Sequence, residues 1–321
     1  MLLDTRNDEA AALRASLEAL SEGLAIGIPT ETVYGLAADA TNPEAVARIY
    51  DLKRRPSFNP LICHCCDIEM VGDYACLDPL SEQLATVFWP GPLTLVLHSN
   101  PVNRLPSITT AGLDTVAVRV PVGFSNRLIN SFGRPLAAPS ANLSGRVSAT
   151  TAQHVAGYFG SELPVVVDGG PTVLGLESTI LRVVEGSIEL LRPGAVSLEE
   201  VESAVGMAVT IPEHSPAIIA PGMLSSHYAP RTPVRLEATE VRGDEVLLTF
   251  GQRSVRGSET CVRVFNLSPG GDLAEFAAAL YRILDEADRL SASGIAIVPV
   301  PASGIGLAIN DRLRRAAAPR S

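Results

Sequence analysis

Leu13, Leu17 and Leu20 recur at the spacing of one helix face, and the apolar run from Leu24 to Ile28 that follows predicts a short strand. Asn42-Pro43-Glu44 reads as a helix start. The Asn42 side chain can accept the first free N–H groups, and Pro43 loses nothing where its N–H would be unpaired. That helix is predicted to run to about Leu52, setting Lys53 and Arg55 at its C-terminal end before Pro56 stops it. Short β-branched runs recur at residues 93–97, 115–120, 165–167, 179–184 and 188–190, separated by glycine- and proline-rich turns. Ser197 and Glu200 have capping-box spacing, which predicts a helix to about Val205.

The pattern changes near Ile211. Pro212, Pro216, Pro221, Pro230 and Pro233 punctuate a stretch with little helix or strand spacing, expected to be a stiff, extended linker. Beyond it, strands at 246–250, 261–266 and 294–300 bracket a helix with Leu273, Phe276, Ala277, Leu280, Leu284 and Ala287 on one face, and a second helix follows Gly304-Ile305-Gly306. Strand, helix, strand, helix predicts a small doubly wound parallel unit. The expected organisation is an α/β domain over 1–207, a linker over 208–233 and a small Rossmann-like α/β domain over 234–321.

Length and composition narrow the possibilities. At 321 residues, 46% hydrophobic and 19% charged, the chain is globular, with enough length for two cores. A net charge of −10 opposes a broad nucleic-acid-binding face, although a local basic pocket remains compatible with it. The charged start, Met1 to Glu9, does not fit a secretory signal, and the late apolar stretch from Gly294 is broken by Pro299 and Pro301, so a cytoplasmic, membrane-free protein is expected. Five cysteines, three of them at Cys63, Cys65 and Cys66, argue for reduced thiols rather than a disulfide framework. On a strand these neighbours face opposite ways and cannot converge with His64 on one metal, so core-filling thiols are the better account and no metal site is expected.

Four stretches carry candidate chemistry. Pro29-Thr30-Glu31-Thr32-Val33-Tyr34-Gly35-Leu36 presents hydroxyls on a turn after a strand, as a polar substrate site or as an ordinary capped turn. Lys53-Arg54-Arg55 suits either the helix dipole or a polyphosphate, the prolines around it holding the loop rigid. Ser140-Ala141-Asn142-Leu143-Ser144-Gly145-Arg146-Val147-Ser148 is rich in hydroxyls ahead of a helix from Thr151 and reads as an anion site. Asp168-Gly169-Gly170 and Gly175-Leu176-Glu177-Ser178-Thr179 read as tight turns, and no Walker or complete dinucleotide fingerprint is present.

Taken in order, these stretches resemble the YrdC family of threonylcarbamoyl-AMP synthases in its long, two-domain form. The resemblance extends through Trp89-Pro90-Gly91-Pro92-Leu93-Thr94, Val118-Arg119-Val120-Pro121, Glu177-Ser178-Thr179-Ile180 and Leu191-Arg192-Pro193-Gly194, with His227-Tyr228-Ala229-Pro230 in the linker. It departs at Cys63, Cys65 and Cys66, where aliphatic residues are more usual. It implies a twisted, open, mixed sheet with a concave cleft. The implied reaction joins L-threonine, bicarbonate and ATP, with magnesium, to give threonylcarbamoyl-AMP and pyrophosphate. The resemblance further implies that the product feeds a downstream transferase modifying the tRNA adenosine next to the anticodon; given the acidic charge, tight tRNA binding by this chain is not expected. Carried over by position, Thr32, His64, Arg119, Ala138 and Ser178 would hold threonine. Arg55, Asn59, Thr115, Ser140, Asn142, Ser148, Arg192 and Tyr228 would hold ATP, with Lys53 and Arg55 in catalytic roles. Two other readings compete with this one: a non-catalytic RNA-binding module, and a carbamoyltransferase of the hydrogenase-maturation type. The acidic charge opposes the first, and the lack of cysteine-pair zinc modules opposes the second.

Overall fold

The computed structural model describes residues 1–212, 219–222 and 227–319; Pro216, Ser225 and Ser226 of the proline-rich stretch lie outside them. The first half opens with β1 (Leu2–Asp4), α1 (Thr5–Ser21), β2 (Ile26–Ile28), β3 (Gly35–Asp39), α2 (Pro43–Lys53) and β4 (Ile62–His64). It continues with α3 (Ile68–Tyr74), β5 (Ala75–Cys76), α4 (Pro79–Phe88), β6 (Leu93–Ser99), α5 (Ser107–Thr110), β7 (Thr115–Arg119) and α6 (Phe124–Phe132). β8 (Leu136–Ala137), α7 (Ala152–Phe159), β9 (Val166–Asp168), β10 (Thr179–Val184), β11 (Ser187–Arg192), α8 (Leu198–Val205) and β12 (Val209–Thr210) complete it. These strands form one twelve-stranded mixed sheet ordered β1-β9-β2-β3-β8-β4-β7-β6-β10-β11-β12, with β5 on β6. The expected twisted mixed sheet is present, and its last strand lies just past residue 207.

Local rules account for the ends of several elements. Asn42 accepts from the Glu44 and Ala45 amides with Pro43 in the first turn, and Ser197 and Glu200 make the full reciprocal cap. Asp67 and Asp78 cap α3 and α4 in the same way, although the sequence reading foresaw neither helix, nor α6. The two-residue period of the strands then sorts side chains between two faces. Val116 and Val118 of β7 and Cys63 of β4 enter the largest core beneath α2, α4, α7 and α8, with Val46, Ile49, Leu84, Val155 and Val201. Burying each such aliphatic side chain is worth roughly 1.5–3 kcal/mol. On the opposite face, Ile62, Val96, Ala117 and Ile180 make only a small cluster, closed by Ala220 of the linker. This thinly covered face carries His64 and Arg119, neighbours across the β4–β7 pairing.

The C-terminal half forms a separate four-stranded sheet, β13 (Val234–Arg235), β14 (Val246–Thr249), β15 (Arg263–Asn266) and β16 (Ile295–Ile297), with α9 (Leu273–Arg289) and α10 (Gly306–Ala317). Its order is β13-β16-β14-β15 and every pairing is parallel, as the pattern predicts. No element falls between β12 and β13 among the described residues, in keeping with an extended linker. The second core also contains Val33, Val147, Leu176 and Tyr228, side chains of the first half and the linker. No described helix is long and apolar enough to cross a membrane.

Candidate active site

β2 delivers the chain into the Pro29–Tyr34 turn, where Thr30 Oγ1 donates to the Val33 carbonyl at 2.6 Å and lies 2.8 Å from Thr32 Oγ1. The Tyr34 hydroxyl is not presented to the cleft. It donates to the Gly170 carbonyl (2.7 Å) and accepts from the Gly169 amide (3.1 Å), tying this turn to the Asp168-Gly169-Gly170 turn. A Cβ at Gly169 would stand 2.9 Å from Pro29, so the two turns meet only because that position has no side chain. Thr32 Oγ1 accepts from Arg119 Nη1 at 2.8 Å, Arg119 Nε donates to the Gly91 carbonyl at 3.1 Å, and Arg119 Nη2 pairs with Glu31 Oε1 at 2.6 Å.

At the end of α2, Arg54 takes the left-handed conformation (φ 51°) that reverses the chain and separates Lys53 from Arg55. Lys53 Nζ donates to the carbonyls of Ser140 (2.5 Å) and Asn142 (2.6 Å), binding the hydroxyl-rich loop to the helix end. Arg55 donates to Asn59 Oδ1 (2.7 Å) and to the Asn59 (3.0 Å) and Pro60 (2.7 Å) carbonyls. Arg192 donates to the Ser178 carbonyl (2.8 Å), to Ser178 Oγ (3.1 Å) and to the Pro221 carbonyl (3.3 Å). Among the described residues none of Lys53, Arg55 and Arg192 forms an ion pair with a carboxylate, and all three are buried. Burial, with Arg55 beside it, pushes the Lys53 ammonium well below its ordinary value; burial also brings Arg55 down to about 10 and lowers Arg192. A cluster of desolvated cations satisfied only by neutral oxygens is a preformed site for an anion.

His64 and His227 are the two buried imidazoles here. Burial, and then the Arg119 charge, drives His64 well below 6.5, while burial takes His227 to about 3. Both are therefore neutral at pH 7. Thr32, Arg55, His64, Arg119, Ala138, Ser140, Ser178, Arg192 and Tyr228 line one cavity, joined by Thr30, Glu177, Pro221, Gly222 and His227. The remaining volume is about 50 Å³, and the linker residues Pro221, Gly222, His227 and Tyr228 form part of its wall. Lys53, Asn59, Asn142 and Ser148 stand one contact behind: Lys53 on the Ser140 loop, Asn59 on Arg55, Asn142 through its side-chain amide on Leu143 and Arg146, and Ser148 on Glu177. Thr115 does not line the cavity. It lies at the far end of β7, paired with His98, on the same face as Arg119 by the two-residue period.

The sequence reading missed Glu177 as more than a turn residue. Its buried carboxylate accepts from Ser148 Oγ (2.6 Å), Tyr281 Oη (3.0 Å) and Arg312 Nε (2.8 Å). Burial pushes this carboxyl up, but Arg312, Arg192 and the hydrogen bonds more than offset it and bring it to about 2. An acidic residue between Leu176 and a strand was the one available signal; its partner lies 135 residues further along. No group of three or more His, Cys, Asp and Glu side chains able to hold a metal exists among the described residues. Cys63 and Cys65 are buried and free, while Cys66 Sγ lies 3.9 Å from Met70 Sδ.

This arrangement matches known proteins over nearly the whole chain. The family model Sua5–YciO–YrdC, described as telomere recombination, covers residues 18–194, and the model of the threonylcarbamoyl-AMP synthase C-terminal domain covers 196–318. The threonylcarbamoyl-AMP synthase of Pyrococcus abyssi is 39% identical over 95% of this chain and 93% of its own length. That of Bacillus subtilis is 39% identical over 98% and 94%. The crystal structure of P. abyssi Sua5 complexed with L-threonine superposes with a TM-score of 0.87 at 37% identity, covering 99% of this chain and 97% of that one. Escherichia coli YciO, 18% identical with a TM-score of 0.54 over 60% of this chain and 94% of its own, shares the fold alone. With both halves matched and the two sheets in place, the chain belongs to the threonylcarbamoyl-AMP synthase family.

Proposed function

We propose that the chain is an ATP-using nucleotidyltransferase that condenses L-threonine, bicarbonate and ATP into threonylcarbamoyl-AMP and pyrophosphate, for transfer by a downstream enzyme to tRNA adenosine. The carrying observation is the set of buried cations, Lys53, Arg55 and Arg192, held by neutral oxygens around a hydroxyl-lined cavity. In this reading Arg119 takes the threonine carboxylate, with Thr32, His64, Ala138 and Ser178 around the rest of the amino acid. Arg55, Asn59, Ser140, Asn142, Ser148, Arg192 and Tyr228 hold the nucleotide. Thr115 lies about 13 Å along β7 from Arg119, a span that suits the nucleoside end.

The chemistry needs two steps. The threonine amine forms an N–C bond with bicarbonate, releasing water, and a carbamate oxygen then attacks the α-phosphorus as the bond to pyrophosphate breaks. Carbamates decompose in water, so holding that oxygen in line with the α-phosphate in a shielded pocket supplies much of the catalysis. Lys53 and Arg55 offset the charge that builds on the leaving pyrophosphate. Magnesium fits this scheme as part of the Mg-ATP substrate, bound by phosphate oxygens rather than by a carboxylate cage. A cavity of about 50 Å³ is far too small for ATP and threonine, so Pro221, Gly222, His227 and Tyr228, which line it, must move for substrates to enter. We assign residues 1–207 as the catalytic domain, 208–233 as the linker and lid, and 234–321 as the C-terminal domain, in the cytoplasm.

The test is pyrophosphate release by the purified chain with Mg-ATP, expected only when threonine and bicarbonate are both supplied. Equal release with neither would overturn the reading.

A further inference from the structure

The C-terminal half is built into the wall of the cavity at Leu176 and Glu177 rather than tethered beside it. Gly175 has a φ of +68°, and a Cβ there would stand 2.5 Å from the Ala278 Cα of α9, so backbone meets backbone. The next residue, Leu176, is fully buried in the C-terminal core. The residue after that, Glu177, receives Tyr281 from α9 and Arg312 from α10. Arg312 is 1% exposed, donates also to the Pro193 carbonyl at 2.9 Å, and holds its guanidinium 5.0 Å from the centre of the Tyr228 ring. Tyr228 in turn stacks on Tyr281 at 5.7 Å. On the cavity side, Glu177 fixes Ser148, and its neighbour Ser178 carries Arg192.

We infer that Arg312 is a positioning residue for ATP: through Glu177 it sets Ser148 and the Ser178–Arg192 pair, and through its cation–π contact it seats Tyr228. The inference rests on the proposed assignment of Ser148, Arg192 and Tyr228 to the nucleotide. It places a specific requirement for ATP binding in α10, more than a hundred residues along the chain from the Glu177 and Pro193 motifs it touches. The bland account is an interdomain ion pair that only holds two halves together. That account predicts lost stability without selectivity between substrates.

Arg312→Met alone strands a buried carboxylate and is expected to melt early. The decisive variant is therefore Glu177→Gln/Arg312→Met, which removes the charges of Glu177 and Arg312 at similar volume and leaves Asp311, which Arg312 also holds, paired with Arg315; it is accompanied by Arg312→Lys, which keeps the charge but loses the planar fork. Melting temperature, KM for each substrate, and ATP and threonine affinity by calorimetry are measured on the full chain. The double variant is expected to fold, to bind ATP at least tenfold more weakly with KM for ATP raised in step, and to hold threonine within about threefold of wild type. Arg312→Lys should weaken ATP several-fold with little loss of melting temperature. Wild-type ATP affinity in a folded double variant overturns the inference, as does equal weakening of both substrates. If the double variant does not fold, wild-type ATP affinity in Arg312→Lys overturns it. If wild type binds ATP but releases no pyrophosphate on adding threonine and bicarbonate, the functional reading fails while the ATP affinities still decide this inference; no ATP binding by wild type sinks both.

Discussion

Arg119 already has an anion. Its Nη2 is 2.6 Å from Glu31 Oε1 and its Nη1 holds Thr32, so an incoming carboxylate must share or displace Glu31. A planar fork can do this while keeping Thr32 and the Gly91 carbonyl. A lysine ammonium, with three donors on one atom, cannot. Arg119→Lys is expected to weaken threonine by about 1–3 kcal/mol, with ATP affinity little changed. Calorimetry with each ligand checks this, and unchanged threonine affinity would refute the role. At this scale the sequence was legible in residue types: hydroxyls, arginines and a neutral histidine do line one cavity. What it hid was pairing. Lys53 and Arg55 read alike on a helix end, yet one braces a loop by its carbonyls and the other lines the cavity. Nothing near Glu177 in the chain announces Arg312, because contacts formed by tertiary folding leave no local pattern.

Among elements, those with a local cause were readable. The Asn42-Pro43 start of α2 and the Ser197–Glu200 cap of α8 follow from backbone groups within one turn. β8 and β13 have two residues each, too few to display an alternation, and they exist because neighbouring strands pair with them. The Gly175 turn shows how a correct reading can have an incomplete reason. A tight turn was expected, and its positive φ agrees, but the glycine is also required by α9 pressing on it a hundred residues later. Gly175→Ala adds a strained left-handed alanine and a backbone clash, which together should cost about 2–4 kcal/mol. Denaturant unfolding reads this directly. A midpoint equal to wild type would mean that α9 and the turn do not meet in solution.

The whole molecule is an acidic chain, with net charge −10, folded round a small cavity lined by Arg55, Arg119 and Arg192. The same burial that keeps cations ready for an anion also excludes protons from the histidines. His227 faces Glu177, which favours its charged form, and Arg55, Lys53 and Arg312, which oppose it; burial outweighs all of them and sets it at about 3. His64 faces Arg119 and is lowered by burial in the same direction. In the unfolded chain both titrate near 6.5, so below that pH the unfolded state binds protons that the folded state refuses. Their contribution to stability is therefore complete above pH 6.5 and declines as the pH falls toward the folded values. Glu177, at about 2 when folded against an ordinary 4.5, adds its own loss only below that second value. At pH 5 His227 should have withdrawn about 2 kcal/mol, or roughly 3 °C of melting temperature for a chain of 321 residues, and His64 acts in the same direction. Melting curves from pH 8 to 5 should thus be flat down to about 6.5 and then fall. His227→Gln, with no titrating group at that position, should flatten part of the slope between pH 6.5 and 5. A wild-type melting temperature unchanged over that interval would mean that both imidazoles accept protons in the folded state.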